Sequence, residues 1–350
     1  MRIKLRRRGC ISSWLFKMKK VAIVTVTYGS RWKYLSQVLE ASCNDAHVAH
    51  IFVVNNKSEN SEELHTYAHQ HKDKITVINF DSNTGSANGF GTGLAAARDG
   101  GYDFVLLLDD DNVITKGVIS DYITEYECLL NPQSIIVGNR VDLGSADEPF
   151  DSSRPPTQPT YSFFNVFSLA KVKRYASLLF RGTLKKSSPK KLLDKVEVHA
   201  FAYGGAFIPR QALLHAPLPD SKLFLYGDDV AYSWGVLKAG YRAYLIRSLH
   251  IRDVDTTFSE KGNSSHLTDL FMPSVSDIKV YYRMRNAAYI SWSYGEQSKV
   301  VLVLSIIVWY IGLLIIFLIK KRQFGTFQVC RAYLIAMAFT RGLRQDLRPF

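Results

Sequence analysis

Three consecutive carboxylates, Asp109-Asp110-Asp111, directly follow the apolar run FVLLL at residues 104–108. Alternate side chains of an extended chain point the same way, so Asp109 and Asp111 are expected to face one ligand and Asp110 the opposite side. Two carboxylates at a strand end, in a chain without a cysteine or histidine cluster, suit a hard cation such as Mg2+ or Mn2+. Such an ion commonly bridges protein and diphosphate. A solvated turn or a helix N-cap is the plainer use of these residues. Three acids after an uninterrupted apolar run favour metal–phosphate chemistry.

A second acidic cluster lies in LFLYGDDVAYSWGVLKAG, residues 223–240. Asp228 and Asp229 stand there between an apolar stretch and a helical pattern. One can cap the helix while the other takes a proton from an attacking hydroxyl. His250, in SLHIRD, follows a further short strand, and a lone histidine is more often structural than a ligand. Gly91-Thr92-Gly93-Leu94-Ala95-Ala96 matches G-x-G-x-x-A, the dinucleotide fingerprint. That fingerprint requires its glycines immediately after a first strand, and residues 80–90 intervene, so an oxidoreductase is rejected. No G-x-x-x-x-G-K-[ST] occurs.

These residues need elements to position them. Residues 21–27 (VAIVTVT), 51–54 (IFVV), 75–79 and 104–108 read as strands. Residues 34–42 and 62–71 have helical spacing, and residues 86–98 are rich in small residues and turn helical towards 94–98. Strands alternating with helices predict an α/β fold with a mainly parallel central sheet. Ligands of such sheets bind at the carboxyl ends of the strands, and Thr27, Tyr28, Asn55, Asn56, Asp81, Asn83 and the Asp triplet collect there. Residues 142–195, opened by Pro155, Pro156 and Pro159, read as an insertion or long loop over the sheet.

The 350 residues are 47% hydrophobic and 21% charged, with a net charge of +13, which excludes disordered and collagen-like chains. The four cysteines are scattered, which excludes a disulfide scaffold or a cysteine zinc site. The basic charge suggests an anionic partner, but its clusters lie at the two ends and in one loop, without a nucleic-acid motif. Residues 1–19 form a basic leader too polar for a secretory signal, expected to be disordered or to precede the true start at Met18. Residues 300–319 (VVLVLSIIVWYIGLLIIFLI) carry no charge, and as a helix of about 1.5 Å per residue would span roughly 30 Å, a bilayer core. A weaker apolar stretch, 324–339, follows, interrupted by Arg331, and then Arg341, Arg344 and Arg348. Exporting that basic tail would oppose the positive-inside rule, so a helix lying in or re-entering the cytoplasmic face is expected in preference to a crossing.

In order and spacing, VAIVTVTYGSR, FVVNNKSEN, NTGSANGFGTG, LLLDDDN, YGGAFIPRQAL and LFLYGDDVAYSWGVLKAGY resemble the inverting glycosyltransferases of family 2, which have the nucleotide-sugar-binding fold called GT-A. YYRMRNAAYI resembles the region after the catalytic domain of bacterial cell-surface members. The resemblance covers about residues 20–295. It divides the chain into the leader (1–19), a catalytic domain (20–295, with a nucleotide-sugar and metal half at 20–140 and an acceptor half at 141–295) and a membrane-associated helical segment (296–350). NTGSANGFGTG with DDD and YGDDVAYS is most similar to the galactofuranosyltransferase branch, with the rhamnosyltransferases as near neighbours.

The resemblance implies a divalent ion, Mn2+ or Mg2+, on Asp109 and Asp111 with His250 completing the site. It implies Asp229 as general base beside Asp228, and a nucleotide-sugar pocket of Thr27, Tyr28, Arg31, Asn55, Asn83 and Asp110. Many relatives have Asp where this chain has Asn55, a position that contacts uracil. The activity implied is transfer of galactofuranose from UDP-galactofuranose, or of rhamnose from dTDP-rhamnose, with inversion. The implied acceptor is a glycan or lipid-diphosphate-linked glycan at the cytoplasmic face of the bacterial inner membrane, in surface polysaccharide (O-antigen) assembly. A non-catalytic nucleotide-sugar or membrane-surface binding protein is the competing class, opposed by the intact acidic clusters.

Overall fold

The computed structural model describes residues 18–142, 194–255, 275–294 and 326–350, with isolated positions between 299 and 311. Residues 1–17, almost all of the expected insertion at 142–195 and most of 300–319 lie outside them. In chain order the elements are β1 (Val21–Gly29), α1 (Trp32–Cys43), β2 (Val48–Ser58), α2 (Ser61–Gln70), β3 (Ile75–Asn79), α3 (Gly85–Asp99), β4 (Phe104–Asp109), β5 (Asn112–Ile114), α4 (Val118–Cys128) and β6 (Ser134–Asp142). They continue with β7 (Lys195–Val198), β8 (Ala206–Pro209), α5 (Arg210–His215), α6 (Asp228–Lys238), β9 (Arg242–Asp253), α7 (Asp277–Ser293) and α8 (Thr326–Leu343).

One sheet runs through the molecule in the order β3-β2-β1-β4-β8-β6-β9-β5, with β7 also on β9. Strands β3, β2, β1 and β4 are parallel neighbours, as their β-branched runs and intervening helices require. The expectation of a mainly parallel sheet fails beyond β4. There β8 lies antiparallel to both β4 and β6, and β5 and β7 lie antiparallel to β9, so the sheet is mixed. Among the described strands of that half, only β6 and β9 are parallel.

The core follows the period-2 alternation of the strands. Val21, Ile23, Leu106 and Leu108 face α1 and α4, while Ala22, Val24, Val105 and Leu107 face the opposite layer with α3. Residues 85–99 are helical throughout, where the sequence suggested only their second half. The small residues are there for packing: a Cβ on Gly93 would lie 2.3 Å from Val24 Cγ1, and one on Gly89 2.6 Å from Val26 Cγ1. The G-x-G-x-x-A match is thus a helix pressed flat on β1.

At the C-terminus the expected apolar helices find no support as membrane spans: among the described residues no helix is long and apolar enough to cross a membrane. The described part of the second apolar stretch buries one face in a core. Leu334, Ile335, Ala338 and Phe339 of α8 pack on Val280, Tyr281, Met284 and Ala288 of α7. Arg331, which interrupts that stretch, is buried and ion-pairs with Asp277 at 2.9 Å.

Candidate active site

The parallel strands end together. Thr27 is in register with Asn55, and Val26 with Asp109, so β1, β2 and β4 deliver their polar residues to one edge. Strand β4 stops at Asp109, and Asp110 and Asp111 form a turn before β5, closed by Asp109 N–H donating to Asn112 Oδ1 at 3.1 Å. The strand alternation expected to separate Asp110 from Asp111 is therefore lost. One guanidinium holds both: Arg31 Nε lies 2.7 Å from Asp110 Oδ1 and Nη2 2.8 Å from Asp111 Oδ2. Its Nη1 lies 2.8 Å from Asp255 Oδ2, and Asp255 also accepts from the Tyr34 hydroxyl.

Asp109 takes a different partner. Arg140, on β6, approaches Asp109 at 3.1 Å and grips Asp253 with Nε and Nη2. Asn112 Nδ2 also donates to Asp253. A Cβ on Gly204 would lie 2.1 Å from Asn112 Oδ1 and 2.8 Å from Asp109 Oδ2, so only glycine lets the chain before β8 pass this close to the triplet. Arg140, Asp253, Asp255 and Gly204 were not singled out from the sequence. Asp253 and Asp255 stand just beyond His250, and strand alternation from Leu249 was the available signal.

Burial raises Asp110 to about 6, opposed by Arg31. Burial, followed by the charges of Asp109 and Asp110, raises Asp111 to about 7. Burial works to lower Arg31, but Asp110, Asp255 and Asp111 outweigh it and hold the guanidinium above its ordinary value.

Asp228 and Asp229 lie within electrostatic reach of the triplet, the Asp109 charge adding to the burial that raises both. Neither caps the helix, contrary to the sequence expectation. Gly227, at φ 81°, is the N-cap of α6, and both acids lie in the first turn, where the helix N-terminus favours negative charge. Asp228 is 4% exposed and accepts from Ser86 Oγ at 2.7 Å. Burial is the largest cause raising Asp229, followed by the charge of Asp228.

The remaining expected residues divide. Thr27 is buried at the end of β1, and Tyr28 is 53% exposed beside it. Asn55 is buried with its amide engaged: Nδ2 donates to Ser61 Oγ and Asn79 Oδ1, and Oδ1 accepts from Ser58 N–H. Asn83 Oδ1 accepts from Asn56 Nδ2 and Gly85 N–H, shaping the start of α3. His250 is not brought to the triplet. It is exposed, on the opposite face of β9 from Asp253, and the backbone of β5 pairs Asn112 with Asp253 instead. Among the described residues no group of three His, Cys, Asp or Glu side chains forms a ready cation cage. The donor set does fit a hard divalent ion: two crowded carboxylates, Asp109 and Asp111, with Asp109 still 35% exposed in its side chain.

No curated protein matches the sequence. Among solved structures, the chain is similar to GalNAc-T7 with UDP, GalNAc and Mn2+, with a TM-score of 0.53, 12% identity, and coverage of 79% of this chain and 49% of that one. It therefore spans about half the length of the GalNAc-T7 chain. It is also similar to S. aureus TarS 1-349, with a TM-score of 0.51, 12% identity, and coverage of 94% of this chain and 82% of that one. At such identities the likeness is one of fold. Residues 22–187 match the family model described as glycosyl transferase family 2, and the match takes in the ends of β1, β2 and β4 with the whole Asp triplet. That match covers just under half of the chain, and over it the chain is similar to glycosyl transferase family 2, on a fold similar to those of GalNAc-T7 and TarS 1-349.

Proposed function

We propose that the protein transfers a sugar from a nucleotide-diphosphate donor to a hydroxyl acceptor with inversion at the anomeric carbon. The observation that carries the reading is the Asp triplet at the carboxyl edge of the parallel strands, within the region that matches glycosyl transferase family 2, with Asp228 and Asp229 in electrostatic reach of Asp109. Asp109 and Asp111 would hold Mn2+ or Mg2+, and the ion, when bound, supplies charge neutralisation for the leaving diphosphate. GalNAc-T7, similar in fold, is seen with UDP and Mn2+, which supports a uridine donor and a divalent ion here. Asp229 takes the proton of the acceptor hydroxyl as that oxygen attacks, and Asp228, fixed by Ser86, crowds Asp229 and keeps it basic. Arg31 holds the triplet turn in place.

The donor within this reading is UDP-galactofuranose, supported by the branch-like segments NTGSANGFGTG, DDD and YGDDVAYS. The acceptor is a lipid-diphosphate-linked glycan. Val300, Leu304, Ile307 and Ile311 are exposed at helical spacing, and the neighbouring sequence is basic, which supports seating on the cytoplasmic face of a bacterial membrane without a crossing. The test is donor binding and turnover by the purified protein across a panel of nucleotide sugars, with Mn2+ or Mg2+ and with chelator. Metal-dependent turnover of UDP-galactofuranose is expected. Preference for dTDP-rhamnose would overturn the donor and keep the chemistry. Absence of metal-dependent nucleotide-sugar binding would overturn the enzyme.

A further inference from the structure

Arg285 and Asn286 of α7 are both fully buried, yet neither belongs to the acidic cluster. A buried guanidinium is costly, and a hydrophobic side chain in its place would commonly be as stable. The hydrogen bonds of Arg285 run to carbonyls and one amide oxygen, with no carboxylate among them. Nη1 donates to Leu347 O and Arg348 O, both at 2.9 Å, and Nη2 to Lys222 O at 2.8 Å and Leu223 O at 3.1 Å. Nε and Nη2 also donate to Asn286 Oδ1. The guanidinium stacks over the Tyr282 ring at 4.7 Å. Asn286 then turns its other end on the same loop: Nδ2 donates to Leu223 O and Leu225 O at 2.7 Å and to Tyr226 O at 3.0 Å.

The gripped loop is strained. Phe224 has φ 67° and ψ −73°, with Leu225 N–H donating to Leu223 O, the rare form of γ-turn. Tyr226 (φ 66°) and Gly227 (φ 81°) are also left-handed, and such conformations persist where the surroundings over-determine them. The strained turn points Phe224 O at the start of α3, where it accepts from Ala87 N–H and Ser86 Oγ. Ser86 Oγ is also placed against Asp228. Directly after the loop come Asp228 and Asp229, and Tyr226 stands 41% exposed near Tyr28.

We infer that Arg285 and Asn286 are positioning residues that lock the strained 222–227 loop, and through it Asp229, to the C-terminal tail. Arg285 is the bridge, since one guanidinium holds carbonyls of both the tail and the loop. Asn286 is needed because a single side chain must accept from Arg285 and donate to the loop carbonyls, its two N–H bonds being shared among the three oxygens around Nδ2, which an amide can do and a carboxylate cannot. The tail is bonded in by Tyr281, whose hydroxyl donates to Arg348 O and accepts from Arg341. Docking of the C-terminal segment therefore bears on the geometry of the base. The inference rests on the proposed role of Asp229, but the clamp itself is measurable without turnover.

The test uses the full chain with two variants, Asn286→Asp and Tyr281→Phe. Hydrogen exchange of amides 223–230 is read by mass spectrometry, alongside kcat, KM and donor affinity for the donor the wild type uses. Asn286→Asp keeps the acceptor for Arg285 and removes the loop donor. It is expected to speed exchange across 223–230 and to lower kcat by about 10²-fold through misplacement of the base, with donor affinity held. Tyr281→Phe, which removes only the hydroxyl bonded to Arg348 O and Arg341, is expected to loosen residues 344–350 and the loop together, with a smaller fall in kcat. Unchanged loop exchange in Asn286→Asp overturns the inference, whatever the activity. So does a Tyr281→Phe protein whose tail loosens while the loop and kcat stay as in wild type. A purely structural role would lower the folded fraction and leave KM and the pH profile of the remainder unmoved. Failure of the wild type to turn over any donor, with the loop loosened as expected, would overturn the enzymatic reading and leave the clamp standing.

Discussion

Arg31 and Asp111, 80 positions apart, meet at 2.8 Å between Nη2 and Oδ2 while the other nitrogens of the same guanidinium hold Asp110 and Asp255. All four side chains are largely buried, so the arginine is the counter-charge on which the triplet turn depends. Removing one partner of a buried ionic group leaves uncompensated charge and costs about 3–5 kcal/mol. Arg31→Ala is expected to lose stability of that order in urea denaturation. Arg31→Lys is expected to recover only part of it, because one ammonium lacks the fork geometry for three carboxylates. Equal midpoints for wild type and Arg31→Ala would remove this role.

The proton acceptor is tested by an isosteric change. Asp229→Asn is expected to lower transfer by about 10²–10⁴-fold, the usual contribution of general base catalysis, with donor affinity nearly intact. Asp111→Ala is expected to weaken metal-dependent donor binding itself. Calorimetric titration with UDP and Mn2+ separates the two, and the opposite pattern would exchange their roles.

The rate should depend on pH near neutrality. Burial, followed by the charge of Asp228, raises Asp229 to about 7, far above an ordinary carboxylate. A base works only when deprotonated, so kcat is expected to fall as pH drops through neutrality, well before pH 4. Asp228→Asn removes a like charge and should move that acid limb to lower pH. A limb that stays fixed in Asp228→Asn would show that another group titrates.

Gly93 offers a test of the fold. Alanine is the better helix former by about 1 kcal/mol, which by itself predicts stabilisation. The added Cβ would meet Val24 Cγ1 at 2.3 Å, and overpacking a core costs about 1–3 kcal/mol. The clash wins, and Gly93→Ala is expected to lower the thermal midpoint. A raised midpoint would show that α3 lifts from β1 without cost.

The parallel half of the fold was legible because its rules are local. Strands of β-branched residues alternating with helices leave few arrangements, and residues 21–27, 75–79 and 104–108 all proved to be strands. The strand-end position of Thr27, Asn55 and the triplet followed from the same pattern. What the tail does was not legible: the apolar periodicity of 324–339 fits a bilayer or a protein partner equally, and α7 supplies the partner.

Local sequence determined which residues end the strands, where the acidic clusters lie and which helices cover the sheet, because periodicity and propensity act over a few neighbours. Tertiary structure alone decided that β8 enters antiparallel beside β4, and that β9 brings Asp253 and Asp255, leaving His250 outside. It also decided that Arg31 and Arg140 neutralise the acids and that Arg285 ties the tail to the loop before Asp229. Those pairings join residues far apart in the chain, and their strength comes from shared burial, which no spacing along the sequence encodes.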